Sequence, residues 1–301
     1  MKNKNTGNGR LLVLDGKNGR ILLFSADGTN MTTVLDKCGG TPDGIAIDAP
    51  KRHIYWTNMG EHWNQNDGFI ERINFDGTDR TMIIPKGDTF TPKQIQLDLK
   101  NDLMYWCDRE GMRVMRATLD GAHVTTLIEA GRGHADRNDE TRHCVGIALD
   151  IDNGYLYWTQ KGPTDAAKGR ILRAGLALPP CADPAYREDI EVLWDHLPEP
   201  IDLELNHLAG QLYWTDRGAP PEGNTLNRAS IYRQIPPEQE ILCSGLKEAI
   251  GLALDIENDR VFFDDLDGNL YCCGLDGSEQ KTLYSGEGMF TGMAYVANGL
   301  I

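Results

Sequence analysis

Tyr55-Trp56-Thr57-Asn58 decides the fold, because the same aromatic signature returns along the chain at nearly regular intervals. The other copies are Tyr105-Trp106-Cys107-Asp108, Tyr157-Trp158-Thr159-Gln160, Tyr213-Trp214-Thr215-Asp216 and the eroded Phe262-Phe263-Asp264-Asp265. The first residues of successive copies lie 50, 52, 56 and 49 positions apart. Units of this period that cannot bury their apolar faces alone must stack on one another. The sequence therefore predicts a repeat protein.

A second motif, of the form Gly-Ile-Ala-Leu-Asp, precedes each signature by a few residues. It occurs six times, at residues 44–48, 94–98, 146–150, 202–206, 251–255 and 292–296. The last copy has no signature after it, but Leu12-Val13-Leu14-Asp15 near the N-terminus supplies the missing partner. We therefore predict that one unit is split between residues 10–36 and 288–297. A ring closed in this way leaves no exposed sheet edges of the kind that an open array has.

Each unit is predicted to contain four short strands. In the first unit they are expected at residues 44–48, 54–57, 69–75 and 80–84, from the alternation of apolar residues and the turns between them. Asp76-Gly77 makes the last turn, where glycine tolerates the positive φ of a tight hairpin. No stretch has the pattern of a long helix.

The two motifs, in six correctly phased units, resemble the YWTD repeat, also called the low-density-lipoprotein-receptor class B repeat. The resemblance covers residues 10–297 and implies an all-β, six-bladed β-propeller with four-stranded antiparallel blades, the last blade being closed by the N- and C-terminal strands. We expect a flexible N-terminus at residues 1–9, a single propeller domain at 10–297 and a tail at 298–301. Such motifs specify a fold far better than a function.

Charge and cysteine content restrict the partners and the compartment. The formal net charge of −15 argues against nucleic acid or an anionic membrane as partner, because the phosphate backbone favours Lys and Arg. The first ten residues lack the apolar core of a signal peptide, and the chain has no run of 18 apolar residues. Seven scattered cysteines without a Cys-x-x-Cys pair suit a reducing compartment. We therefore expect a cytoplasmic protein, in contrast to the extracellular receptor modules that the motifs resemble.

The loop lengths indicate where a ligand binds. In a four-stranded blade, the connections from strand 2 to 3 and from strand 4 to the next strand 1 share one face. The long connections at residues 58–68, 131–143, 160–168 and 217–229 all belong to that face, and only the one at 178–189 belongs to the other. Because rigid scaffolds commonly carry function on their loops, the first face is the predicted site, although idle variation in loop length is the alternative.

The innermost strands point to the central channel. Four units place Gly and Ala at the first and third motif positions, whereas one unit has Gln94 and Gln96 and another has Asp202 and Glu204. Polar groups in a crowded channel each cost roughly 1–3 kcal/mol if they stay unsatisfied. A ligand, an ion or ordered water is therefore expected beside them.

Candidate site residues follow from these two arguments. The predicted catalytic hydrogen-bond donors are His62, Lys93, Arg109 and His143. The predicted substrate-binding residues are Trp63 as a stacking wall, together with Asp43, Gln94, Gln96, Cys107, Lys161, Asp202, Glu204, Arg217 and Asp264. Two of these have a plain alternative: Cys107 as a small buried filler, and Trp63 as a surface aromatic packed under its own loop. We expect Asp108 and Asp216 of the signature to be structural.

Three classes of function remain open, since the chain has no Gly-x-Ser-x-Gly elbow, Walker loop, His-Glu-x-x-His or dinucleotide fingerprint. The first is an enzyme without a cofactor that acts on a small apolar or aromatic substrate, because the chain resembles fungal hetero-Diels-Alderases of tropolone-sesquiterpenoid biosynthesis in size and style. Such chemistry needs a near-attack geometry and a donor to the developing oxyanion. The second is a module that binds a protein or peptide. The third is a calcium-dependent, lactonase-like hydrolase, with Asp43, Asp202, Glu204 and Asp264 as oxygen ligands.

Overall fold

Each repeat of the sequence forms one antiparallel sheet in the computed structural model, which describes residues 9–232 and 238–299. The N-terminal segment supplies β1 (Arg10–Asp15), β2 (Arg20–Ser25) and β3 (Thr32–Leu35). The following sheets contain β4 (Pro42–Asp48), β5 (His53–Asn58), β6 (Phe69–Asn74) and β7 (Thr81–Ile84); β8 (Pro92–Asp98), β9 (Leu103–Asp108), β10 (Arg113–Thr118) and β11 (Thr125–Glu129); β12 (Cys144–Asp150), β13 (Tyr155–Gln160), β14 (Gly169–Gly175) and β15 (Glu191–Leu197); β16 (Pro200–Asn206), β17 (Gln211–Asp216), β18 (Thr225–Ser230) and β19 (Glu240–Ser244); and β20 (Ala249–Asp255), β21 (Arg260–Asp265), β22 (Asn269–Gly274) and β23 (Lys281–Ser285).

The last strand, β24 (Phe290–Val296), closes the ring as the motif phasing predicts. It pairs with β1 in an antiparallel register that runs from Arg10 opposite Val296 to Asp15 opposite Phe290. The described residues therefore form six four-stranded sheets, one of them made from both ends of the chain. The prediction of an all-β, six-bladed β-propeller with a split last blade is confirmed.

In the described residues, helix is confined to short connections. The loop from β11 to β12 contains the five-residue helix α1 (Gly133–Arg137) and a 3₁₀ turn at Glu140–Arg142, and a second 3₁₀ turn spans Ile256–Asn258. No helix in the described residues has the length and apolar character needed to cross a membrane. One loop prediction was wrong in extent: the connection predicted at 217–229 ends at β18, whose Thr225–Ser230 segment has four buried and two partly buried residues.

The core lies in layers between neighbouring blades. The signature indoles Trp56, Trp106, Trp158 and Trp214 are at most 1% exposed. In one layer Tyr55 from the first full blade packs with Trp106 from the next blade. No blade buries its apolar faces alone, which is the physical reason that the repeats stack.

Where the signature contains Thr, its hydroxyl fastens one blade to the next. Thr57 Oγ1 accepts a hydrogen bond from Gly44 N at 2.8 Å and donates one to Lys93 O on the next inner strand at 2.7 Å. A Cβ atom on Gly44 would lie 2.5 Å from Lys93 O, so only glycine fits there. The small residues of the second motif therefore mark the places where inner strands approach each other around the axis.

Candidate functional site

A pocket of about 330 Å³ lies among the loops of four successive blades. We call it the upper pocket, and the face that carries it, with the connections from strand 2 to 3 and from strand 4 to the next strand 1, the upper face. Five residues predicted from the sequence line it: Trp63, Arg109, His143, Lys161 and Arg217. The structure thus brings together side chains that lie up to 154 positions apart in the chain.

Two of the cations in the upper pocket share one buried carboxylate. Lys161 Nζ donates to Glu199 Oε1 at 3.1 Å and to Glu140 Oε2 at 2.8 Å. Arg217 Nη2 donates to the same oxygen of Glu199 at 2.7 Å. Because Glu199 is 1% exposed, water screens its attraction for the two cations only weakly. The carboxylate therefore holds Lys161 and Arg217 in fixed positions.

Arg109 is paired within its own loop. Its Nε atom contacts both carboxylate oxygens of Glu110, at 2.7 and 2.8 Å. Glu110 is 2% exposed and also lines the upper pocket. The side of the Arg109 guanidinium that faces away from Glu110 is the part that a ligand in the upper pocket can reach.

His143 supports the pocket wall through its ring. The Nε2 atom lies 2.9 Å from Arg137 O, and Nδ1 is buried without a hydrogen-bond partner. Burial lowers the pKa of His143, against the opposing effect of the hydrogen bond to Arg137. Because a carbonyl oxygen can only accept, Nε2 carries a proton and donates it to Arg137 O. This geometry suits a residue that positions Arg137 better than the hydrogen-bond donor to substrate that the sequence predicts.

Trp63 and His62 have different surroundings although they are neighbours in the chain. Trp63 lines the upper pocket with 62% of its surface exposed, and its carbonyl accepts a hydrogen bond from Thr91 Oγ1 at 3.1 Å. His62 is exposed on the same loop and does not line the pocket. Trp63 therefore lies in the upper pocket, where the predicted stacking wall is needed, whereas the predicted donor His62 lies outside that pocket.

Lys93 and Asp43 form a buried ion pair near the upper pocket. Lys93 Nζ donates to Asp43 Oδ2 and lies 3.4 Å from Met59 Sδ. Burial lowers the pKa of Lys93 to about 8, with Asp43 opposing the shift and the positive charges of Arg109 and Arg217 adding to it. Neither Lys93 nor Asp43 lines the upper pocket. Both residues lie on inner strands, Asp43 on β4 and Lys93 on β8.

Three more predicted residues lie deeper along the axis. Gln94 Nε2 donates to Thr291 O of the last inner strand at 3.2 Å. Asp264 replaces the fastening Thr of its signature: Oδ1 accepts from Gly251 N at 2.8 Å, and Oδ2 is buried without a partner. Asp202 accepts backbone hydrogen bonds with both oxygens. Burial raises the pKa of both aspartates well above the ordinary range, because the ionised carboxylate loses its hydration there.

Gln96 and Glu204 belong to a different cavity at the opposite end of the channel. This lower cavity, of about 270 Å³, is lined by Gln96 and Glu204 together with apolar residues of the inner strands, among them Leu97, Leu205 and Leu254. Gln96 Nε2 donates to Glu204 Oε1 at 2.9 Å across the channel. The placement of both residues with the upper site was wrong, because the third motif position lies two residues, or about 7 Å, further along the strand than the first.

Cys107 is part of the wall between two blades. It is 0% exposed, and its Sγ donates to Gly146 O at 3.2 Å. Burial raises the pKa of the thiol well above its ordinary range. The alternative of a small buried filler therefore describes it, and its assignment to substrate binding was wrong.

The carboxylates of the calcium hypothesis are dispersed along the axis. Asp43 pairs with Lys93, and Glu204 accepts from Gln96. Within residues 9–232 and 238–299, no group of three or more His, Cys, Asp or Glu side chains could hold a metal ion.

Glu110, Glu140 and Arg137 also line the upper pocket, although neither the motifs nor the loop lengths point to them. Arg137 lies on α1, where its guanidinium is 4.0 Å from the centre of the Phe90 ring and its Nε donates to Glu110 O at 3.0 Å. The only available signal was the high charge density of residues 131–143. That density also occurs in ordinary solvated loops, so it did not separate Arg137 from its neighbours.

Fold, signatures and pocket position define the class: a six-bladed β-propeller of the YWTD type. No family model matches the chain. It is 42% identical to "Low-density lipoprotein receptor-related protein 1" of Pyricularia oryzae, over 95% of this chain and 98% of that protein. It is 37% identical to "3-hydroxyacyl-CoA dehydrogenase-like protein LAM1" of Cochliobolus heterostrophus, over 95% of this chain but only 64% of that protein's length.

The chain therefore belongs to the same family as the Pyricularia oryzae protein. Among solved structures, a crystal structure of a nidogen/laminin complex matches with a TM-score of 0.75 and 20% identity, over 96% of this chain and 98% of that one. At this identity the match supports the fold alone.

Proposed function

We propose that the protein binds a small unsaturated molecule with a carbonyl oxygen in the upper pocket, and promotes a cofactor-free cyclisation of the hetero-Diels–Alder type there. The observation that carries the proposal is the convergence of Trp63, Arg109, Lys161 and Arg217 on one pocket. Its volume of about 330 Å³ is at the lower end of the range for small-molecule sites.

The upper pocket has the groups that this reaction requires. A hetero-Diels–Alder reaction forms one C–C and one C–O bond between a heterodiene and an alkene, without a leaving group or transfer of electrons to a cofactor. Two reactants held in a near-attack geometry avoid several kcal/mol of entropic cost. An N–H donor aimed at the heterodiene oxygen stabilises the charge that develops on it. The indole of Trp63 supplies a flat apolar wall for an unsaturated ring.

Fixed donors favour catalysis over simple binding. Arg217 and Lys161 are held by Glu199, and Arg109 is held by Glu110, so their remaining N–H groups are oriented before a ligand arrives. Such preorganisation avoids reorganisation during the reaction. The dehydrogenase-like name of LAM1 describes a protein of which this chain spans 64%. Since the chain has no dinucleotide fingerprint, hydride transfer is not part of the proposal.

The test is stereochemical. A tropolone-derived ortho-quinone methide, generated in solution, is mixed with a cyclic sesquiterpene alkene, and the initial rate and enantiomeric excess of the dihydropyran product are measured by chiral chromatography. The wild type is expected to give a faster reaction and one dominant enantiomer. Arg217→Gln should lower the rate by on the order of 10²-fold.

A matched control is Arg228→Gln, which removes a guanidinium from the same blade. Arg228 pairs with Glu240 at 2.6 Å and does not line the upper pocket. Its removal should leave rate and enantiomeric excess unchanged. A racemic product formed at the uncatalysed rate by the wild type would refute the proposal for this reaction.

A second candidate function is protein binding through the lower face, the side opposite the upper pocket. Three large apolar residues are exposed in its connections, on two neighbouring blades: Tyr186 at 77%, Leu208 at 78% and Tyr232 at 65%. Exposed aromatic and aliphatic groups of this kind mark interaction surfaces when they are contiguous. Sedimentation velocity over a concentration series tests self-association: an association that Leu208→Ser abolishes would support it, and a monomer at every concentration would count against it.

A further inference from the structure

We infer that Arg137 binds an anionic oxygen of the ligand, so that the upper pocket selects small acidic molecules such as enolates, vinylogous acids and aromatic carboxylates. The inference rests on the proposed function in one respect: it takes the upper pocket as the ligand site. The inference adds to the proposed function the charge of the ligand and the residue that recognises this charge.

Arg137 differs from the other cations of the pocket in having no carboxylate partner. Arg109, Lys161 and Arg217 each form an ion pair at 3.1 Å or less. Across the described residues, no ion pair includes Arg137, and its two Nη groups have no hydrogen-bond partner in the protein. It is the one lining guanidinium whose charge the described part of the protein leaves uncompensated.

Two contacts fix this guanidinium without neutralising it, and a third fixes the Arg137 backbone. The ring of Phe90 lies 4.0 Å away and attracts the cation through its π face. Nε donates to Glu110 O at 3.0 Å, and the Arg137 carbonyl accepts from His143 Nε2 at 2.9 Å. The Phe90 backbone is itself held by the carboxylate of Asp108, at 3.0 and 3.1 Å. An arginine immobilised in this way presents its Nη edge with little further entropy to lose.

An anion is the ligand that completes this arrangement. The acids of the pocket, Glu110 and Glu140, are already paired with Arg109 and Lys161. The protein as a whole carries a net charge of −15, so its long-range field repels anions. A local, fixed guanidinium overcomes that field at short range, since a planar fork matches a carboxylate or an enolate with two parallel hydrogen bonds. The pocket is thus cationic where the rest of the surface is acidic.

The test uses two probes of one shape and different charge: 2-naphthoate, which is anionic at pH 7.5, and 2-naphthamide, which is neutral. Binding is followed by isothermal titration calorimetry and by quenching of Trp63, since the other five tryptophans in the described residues are at most 4% exposed. The wild type should bind naphthoate about tenfold more tightly, which corresponds to about 1.4 kcal/mol. That preference should weaken with added salt, because charge pairs are screened.

Arg137→Gln should abolish the preference and leave naphthamide affinity unchanged. Phe90→Leu, which keeps an apolar side chain but removes the π face, should reduce the preference for naphthoate with little effect on naphthamide. Arg132→Gln is the matched control, because Arg132 lies beside α1, is exposed and pairs with Glu129. It should bind both probes like the wild type.

Each outcome decides the inference. Equal affinities of the wild type for both probes, or a preference that survives Arg137→Gln, would overturn the role of Arg137 while the upper pocket stays a small-molecule site. If neither probe binds, the inference falls together with the pocket assignment on which the proposed function rests. If Arg137→Gln does not fold, Phe90→Leu decides the question, because Phe90 contacts the Arg137 guanidinium: an unchanged preference for naphthoate in that variant would overturn the role of Arg137.

Discussion

Replacing Glu204 by Gln should make the protein more stable, and the gain should depend on pH. Burial raises the pKa of Glu204 from its ordinary 4.5 to about 7, and the hydrogen bond from Gln96 only partly opposes this. In the unfolded chain the carboxyl ionises near pH 4.5, but in the folded protein it ionises near pH 7. Between these values the unfolded state loses its proton first, so folded stability decreases as the pH rises.

The magnitude follows from the two pKa values. Since each pH unit is worth about 1.4 kcal/mol, ionised Glu204 destabilises the fold by about 3 kcal/mol above pH 7. Below pH 4 the carboxyl is protonated in both states and has no such effect. A Gln side chain cannot ionise, and its amide oxygen can accept the hydrogen bond from Gln96 in place of the carboxyl oxygen of Glu204. The variant should therefore match the wild type at pH 4 and exceed it by about 3 kcal/mol at pH 8.

Urea unfolding at pH 4, 6 and 8 measures the difference, monitored by tryptophan fluorescence. Glu257→Gln is the control: Glu257 is an exposed acid on the same face, and its replacement should change stability by no more than about 0.5 kcal/mol at any pH. A difference for Glu204→Gln that is constant across the three pH values, or largest at pH 4, would show that this carboxyl is not desolvated in the folded channel.

Three further changes test other parts of the structure. Trp56→Ala should lower the free energy of unfolding by about 3–5 kcal/mol, because the indole is 0% exposed between blades; an unchanged thermal midpoint would contradict this. Arg187→Ala should cost about 3–5 kcal/mol in chemical denaturation, since this buried guanidinium pairs with Asp189 at 2.6 Å and donates to Gly175 O at 2.8 Å; a loss below 1 kcal/mol would indicate a solvated loop. Cys107→Thr should raise stability by about 1 kcal/mol by restoring the interblade hydroxyl; a decrease would mean that the thiol site is too narrow.

The fold was accessible from the sequence because its information is local and repeated. The six copies of the second motif predict the number of blades, and their phase relative to the aromatic signatures identifies the split blade before any contact is known. Pairing of Arg10 with Val296 follows from that phase alone. Small residues at the axis, such as Gly44, are explained by the same packing argument.

The site could be predicted from the sequence only in part. The loop to which a residue belongs indicates its face of the propeller, but not its depth along the channel or the side chains that it contacts. Trp63 and Lys161 were placed on the upper face by their loops, and they line one pocket there. Gln96 lies two residues beyond Gln94 and thereby belongs to another cavity. The contact of Arg137 with Phe90 joins residues 47 positions apart, and neither of the two motifs contains them. Such pairings come from tertiary packing that a single sequence does not display.

A crystal structure of the protein with the dihydropyran product of the cyclisation assay tests the central claim most directly. The product is predicted to occupy the upper pocket, with its ring against Trp63 and its oxygen within about 3 Å of an arginine N–H. Occupation of the lower cavity beside Glu204, or an empty upper pocket in a protein that still converts the substrates, would contradict the account.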